Sequence, residues 1–135
     1  MKFKIKQSFF SISLLSILVL VGCDKADKSL DSSLKDNTVV ILKFKAQPNK
    51  GTEAVSAMTN LLAEVKKEPH FVKIKLHVDP NDESNIFFYE EWDDPDYYNG
   101  AHMNTPHLQA FMKESQNFLM GPPDITFWKV EKVVK

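Results

Sequence analysis

Two short segments, Val39–Leu42 and Ile86–Tyr89, are apolar at every position, and no other feature constrains the fold as tightly. Side chains alternate between the two faces of a strand, so strands of this kind have to be covered on both sides. The first lies in a β-branched run from Thr38 to Ala46, followed by a turn at Pro48, Asn49 and Gly51. From Thr52 to Lys67 apolar residues recur at Ala54, Val55, Met58, Leu61, Leu62 and Val65, a helical stripe that Pro69 ends. Phe71 to Val78 alternates, which places Val72, Ile74, Leu76 and Val78 on one face. Asp79-Pro80-Asn81-Asp82 supplies a turn, and Asn85 to Trp92 returns as the second strand of a hairpin. Asp94-Pro95 opens a short helix through about His102. Thr105-Pro106 then sets an N-cap and a first-turn proline before another helix. Leu108, Phe111, Met112, Phe118 and Leu119 are expected on its buried side, with Gly121 closing it. A last strand is predicted from Asp124 to about Val133.

The resulting order, β-α-β-β-α-α-β, is an α+β, ferredoxin-like plan over residues 38–135. Its helices suffice for one side of a four-stranded sheet, yet the central strands are apolar on both. The expectation is a homodimer in which sheet packs on sheet, a dimeric α+β barrel enclosing an aromatic chamber.

The residues ahead of this domain form two different materials. Lys2, Lys4 and Lys6 precede an apolar core from Phe9 to Val21, about 13 residues, where a spanning helix needs about 20. The core ends in Leu20-Val21-Gly22-Cys23, which resembles the lipobox of bacterial lipoproteins. Residues 1–22 are therefore expected to be a signal peptide and Cys23 the lipid-bearing residue. Being the only cysteine, Cys23 excludes an intramolecular disulfide. Residues 23–37 are rich in Asp, Lys and Ser and read as a flexible lipidated linker. The expected location is the extracytoplasmic face of a bacterial membrane, reached through the lipid; Asp24 does not decide between inner and outer membrane. Every basic residue is Lys, balanced by 18 acidic residues, with no arginine and no basic stripe. Nucleic acid is accordingly not an expected partner.

Several fragments together resemble the antibiotic biosynthesis monooxygenase family, especially its small quinol monooxygenase-like members. They are Lys43-Phe44-Lys45 with Pro48 and Gly51, Glu68-Pro69, Asp79-Pro80, and Phe88-Tyr89-Glu90-Glu91-Trp92. To these add the stretch from Ala101 to Phe111 (AHMNTPHLQAF) and Gly121-Pro122-Pro123. The similarity covers about residues 38 to 132. It implies a ferredoxin-like dimer that oxidises a phenol or quinol with molecular oxygen, without metal or flavin. Such chemistry needs a base that strips a hydroxyl proton, leaving an anion electron-rich enough to reduce oxygen, in a dry aromatic pocket.

His102 and His107 match the family's His-x4-His pattern and are the first candidates for that base. Each also fits a structural role at a helix end. Their spacing, across a Thr-Pro helix start, differs from the i, i+4 spacing of zinc ligands, and no third ligand is evident, so no metal is expected. Trp92 is a candidate donor to a substrate oxyanion, against an ordinary core tryptophan tied to a backbone carbonyl. Glu90 falls on the same strand face and is expected to order a histidine or cap a helix. His70 follows Glu-Pro in a turn and reads as solvated. His77 alternates with Lys73 and Lys75, facing a partner subunit or water. A haem-degrading group shares the fold and a tryptophan such as Trp92. The first strand here lacks its asparagine, and the helix after His107 lacks a further histidine, which argues against haem. Two other readings stay open: a non-catalytic dimeric lipoprotein holding a small apolar ligand, and an isomerase using the same histidines.

Overall fold

The computed structural model describes residues 37–134; the predicted signal peptide, Cys23 and the linker to residue 36 lie outside the described residues. Four strands, β1 (Thr38–Lys45), β2 (Phe71–Asp79), β3 (Asp82–Trp92) and β4 (Asp124–Lys129), form one antiparallel sheet in the order β2-β3-β1-β4. Three helices, α1 (Gly51–Val65), α2 (Pro95–Asn99) and α3 (Pro106–Ser115), with a 3₁₀ turn at His102–Asn104, complete the α+β plan. Asn37, placed in the linker by sequence, is already buried.

Each element follows from local chemistry. On α1 the residues Ala54, Met58, Leu61 and Val65 recur every three or four positions and are the buried ones. Gly51 starts this helix where a Cβ atom would stand 2.8 Å from the Glu83 carbonyl oxygen, so the β2–β3 hairpin packs there only against glycine. Asp94 caps α2 by accepting from the amides of Asp96 and Tyr97, with Pro95 in the first turn.

Some expectations need correction. The helix expected to run to His102 stops at Asn99, and His102 lies instead in the 3₁₀ turn. Thr105 occupies the N-cap position of α3, but its hydroxyl donates 2.9 Å to the His102 carbonyl and caps nothing. The helix ends at Ser115, so Phe118 and Leu119 reach the core from a turn held by Ala46 pairing with Leu119. Among the described residues no glycine has a positive φ, so Gly121 is not a left-handed cap. Met112 is 46% exposed. In β2 a register shift between Phe71 and Lys73 turns Phe71 inward with Ile74 and Leu76 and leaves Val72 out. The last strand ends at Lys129, short of Val133.

The core lies between the sheet and the helices, around Val40, Phe44, Phe88, Trp92, Met58 and Phe118. All the helices cover this one side, as the element count requires. The opposite side presents Val39, Ile41, Phe87, Tyr89 and Trp128 along the middle, with Lys43, Lys73 and Lys75 among them. Glu91 sits there too, buried, 2.7 Å from Lys73 and 2.7 Å from the Tyr89 hydroxyl. Burial raises the pKa of that carboxyl, but Lys73 and Tyr89 together outweigh it and hold the carboxyl below its ordinary range.

Candidate active site

A cavity of about 380 Å³ opens between the sheet and the helices of a single chain. Its walls are Leu42, Phe44 and Phe88 from the sheet, Leu61, Leu62 and Val65 from α1, and Leu108 and Phe111 from α3. The partly exposed Met112 and Ile125 mark its mouth, between α3 and β4. The chamber expected between two sheets is therefore on the other side of the sheet and needs no second copy to enclose it. Helices lie against the inward residues of β1 and β3, and their side chains leave the space unfilled. Its volume falls in the range of small-ligand sites.

Besides the more exposed Ser115 and Gln116, three polar groups interrupt the apolar lining, Glu90, Tyr98 and His102, all buried. Strand alternation turns Glu90 inward between Phe88 and Trp92, and α2 and the 3₁₀ turn carry the other two over it. The His102 ring stacks on Tyr98 at 5.0 Å between centroids and lies 4.6 Å from Trp92. Its Nδ1 is 2.9 Å from Glu68 Oε2. Burial raises the pKa of the Tyr98 hydroxyl strongly, and the nearby Glu90 charge adds to this.

Glu90 neither orders a histidine nor caps a helix, in contrast to expectation. It accepts the Trp92 indole N–H at 3.0 Å. Burial pushes its carboxyl up to about 7; the Trp92 N–H opposes this, and the charge of Glu68 reinforces it. Trp92 is fully buried, and its N–H donates to Glu90 rather than to a backbone carbonyl. Its indole instead forms the back wall behind His102, Tyr98 and Phe71.

His107 is not among the residues lining the cavity. It reaches the same carboxylate from the outer side, with Nε2 2.5 Å from Glu68 Oε1, and the Tyr97 hydroxyl donates to Oε2 at 3.1 Å. Glu68 thus joins the two histidines that the His-x4-His pattern singled out. Its own role had no signal in the sequence beyond its place before Pro69. The arrangement is one of hydrogen bonding. Among the described residues no group of three metal-binding side chains is set to hold an ion. His70 and His77 lie apart from the cavity. His70 is a half-exposed neighbour of Asp93 at 2.8 Å. His77 stacks on Phe87 at 4.2 Å on the uncovered side of the sheet, its Nδ1 buried without a partner.

Comparison with known proteins matches residues 38–114 to a family described as antibiotic biosynthesis monooxygenase. None of the curated proteins matches the sequence. Solved structures with the same fold include a conserved protein from Methanosarcina mazei, 18% identical, covering 73% of this chain and 96% of its own, with a TM-score of 0.65. A Pseudomonas aeruginosa protein is 22% identical over 72% of this chain and 96% of its own, also at 0.65. SnoaB from Streptomyces nogalater, described as a cofactor-independent oxygenase, is 13% identical over 73% of this chain and 97% of its own, again at 0.65. At these identities the likeness establishes the fold.

Proposed function

The chain belongs to the antibiotic biosynthesis monooxygenase family, and from that premise we propose that it oxidises a phenolic or quinol-type ring with molecular oxygen, inside the cavity and without a cofactor. One observation carries this reading: two buried ionisable groups, Glu90 and His102, both line one otherwise largely apolar space. An uncharged ring fills such a space, and its hydroxyl meets a base only at those groups.

His102 takes the hydroxyl proton, and the resulting anion is oxidised by oxygen. In the net reaction the substrate loses two hydrogens and gains one oxygen atom, while the second oxygen atom leaves as water. Glu90 in its acid form donates to the developing oxyanion. The apolar walls keep water from competing. The cofactor-independent oxygenase described for Streptomyces nogalater supports the reading by fold. Incubating the purified protein with menadiol or a related quinol under ¹⁸O₂ tests it. The expected product carries one labelled atom, with oxygen uptake above the buffer rate. A ligand that binds without any turnover across a panel of quinols contradicts it and favours the binding-module reading.

The uncovered side of the sheet supports a homodimer. It exposes Phe87 at 38% and Trp128 at 60%, and leaves the His77 Nδ1 buried and unpartnered. Sedimentation of the lipid-free protein at micromolar concentration is expected to give twice the chain mass, and Phe87→Lys to give the monomer. A monomeric wild type contradicts the dimer.

Anchoring at the extracytoplasmic face of the membrane rests on the sequence around Cys23. Cys23→Ser is expected to abolish labelled palmitate incorporation and detergent-phase partitioning. Unchanged partitioning contradicts the anchor.

A further inference from the structure

We propose that Glu68 is the positioning residue of this site: its carboxylate fixes the His102 ring with the Nδ1 proton turned toward Glu68 and the Nε2 lone pair left for the cavity. The role in catalysis rests on the reading of His102 as the base; the fixing of the ring does not.

Three groups converge on the Glu68 carboxylate, which is 5% exposed: His102 Nδ1, His107 Nε2 and the Tyr97 hydroxyl. A carboxylate offers only acceptors, so all three must donate. A neutral imidazole that donates from Nδ1 carries no proton on Nε2. Among the described residues no acceptor or donor is hydrogen-bonded to that second nitrogen, and His102 lines the cavity. The ring also packs in an aromatic triad, 5.0 Å from Tyr98 and 4.6 Å from Trp92, which lie 5.5 Å from each other. The packing restrains the ring, and the Glu68 carboxylate sets which of its nitrogens carries the proton.

The loop that carries Glu68 is itself held. Pro69 restricts the backbone after it, and His70 takes a left-handed φ of 65°, which costs a non-glycine residue of order 1 kcal/mol. Two contacts compensate. The Asp93 amide donates to the His70 carbonyl at 3.1 Å, and the His70 ring hydrogen-bonds the Asp93 carboxylate at 2.8 Å. The end of α1 is thereby tied to the end of β3, and Glu68 meets the 3₁₀ turn at a set distance. His107 occupies the outer oxygen of Glu68 and shields the inner bond from water, its side chain 23% exposed.

The test reads the tautomer directly, by long-range ¹H–¹⁵N correlation of the histidine rings in the full chain. Wild type is expected to show His102 protonated at Nδ1. In Glu68→Gln the spectrum is expected to move to a mixture of tautomers, and quinol oxidation to fall by roughly 10²-fold in kcat with KM nearly unchanged. Glu68→Asp, which keeps the acceptor on a shorter arm, is expected to restore part of both. If Glu68→Gln does not fold, Glu68→Asp alone still reports through a partial tautomer shift. A His102 signal identical to wild type in every folded Glu68 variant overturns the proposal. Should the tautomer shift while the wild type oxidises no quinol, the positioning role stands and the oxygenase reading falls.

Discussion

Glu90→Gln is expected to stabilise the domain by about 3 kcal/mol at pH 8.5 and to make almost no difference at pH 4. Burial raises the folded-state pKa of Glu90 from 4.5 to about 7, so the folded chain holds this proton after the unfolded chain has lost it. Below the unfolded value both states are protonated and the group costs nothing. As pH climbs between the two values, stability drains away, and above the folded value the loss is complete. Glutamine keeps an acceptor for the Trp92 indole and never ionises, so it escapes the loss. Urea unfolding at a series of pH values checks this. Wild-type and variant curves that run parallel from pH 4 to 8.5 contradict it. The same titration bears on the reaction, because a carboxylate in the cavity lining repels the anion the reaction forms. Turnover is expected to decline above about pH 7 in the wild type and to hold level in Glu90→Gln.

His102→Gln is expected to lower kcat by about 10²- to 10⁴-fold, the range for loss of a general base. Glutamine fills a similar volume against Tyr98 and Trp92, so the fold is expected to survive and the loss to be chemical. His107→Gln is expected to cost far less, because that ring touches Glu68 from outside and is not part of the cavity wall. Oxygen-electrode rates with a single quinol compare the three proteins. His102→Gln within twofold of wild type removes His102 from the chemistry. Equal losses in the two variants move the site toward His107.

Much of the fold is legible in the residues because period and burial coincide. The continuous apolar runs of β1 and β3, the stripe of Ala54, Met58, Leu61 and Val65, and the Asp94-Pro95 start of α2 each have one physical reading. The departures come where tertiary context overrules a local signal. The bulge at Phe71–Lys73 leaves composition untouched while reversing which residue faces in. Thr105 has the chemistry of a cap, yet the His102 carbonyl lies close enough to accept its hydrogen bond. Gly121 follows a run of helical residues, but the chain has already turned away at Gln116.

The site was legible in part. The spacing of His102 and His107 drew attention to both, and strand alternation turned Glu90 inward with Trp92. What ties them together is Glu68, 34 residues before His102 in sequence. No periodicity marks a residue in a turn, and its function depends on a contact that only the packed chain makes. The expected chamber was displaced for a similar reason. Two-faced strands demand cover on both sides, but they do not say on which side the cover leaves a hollow.

A ring is expected to bind on the helix side of the sheet, within one chain. Chemical-shift mapping with a redox-inert quinol dimethyl ether tests it most directly. Perturbations are expected at Phe44, Leu61, Tyr98 and Phe111, with Phe87 and Tyr89 unmoved. Shifts confined to Phe87, Tyr89 and Trp128, on the opposite side of the sheet, would contradict it.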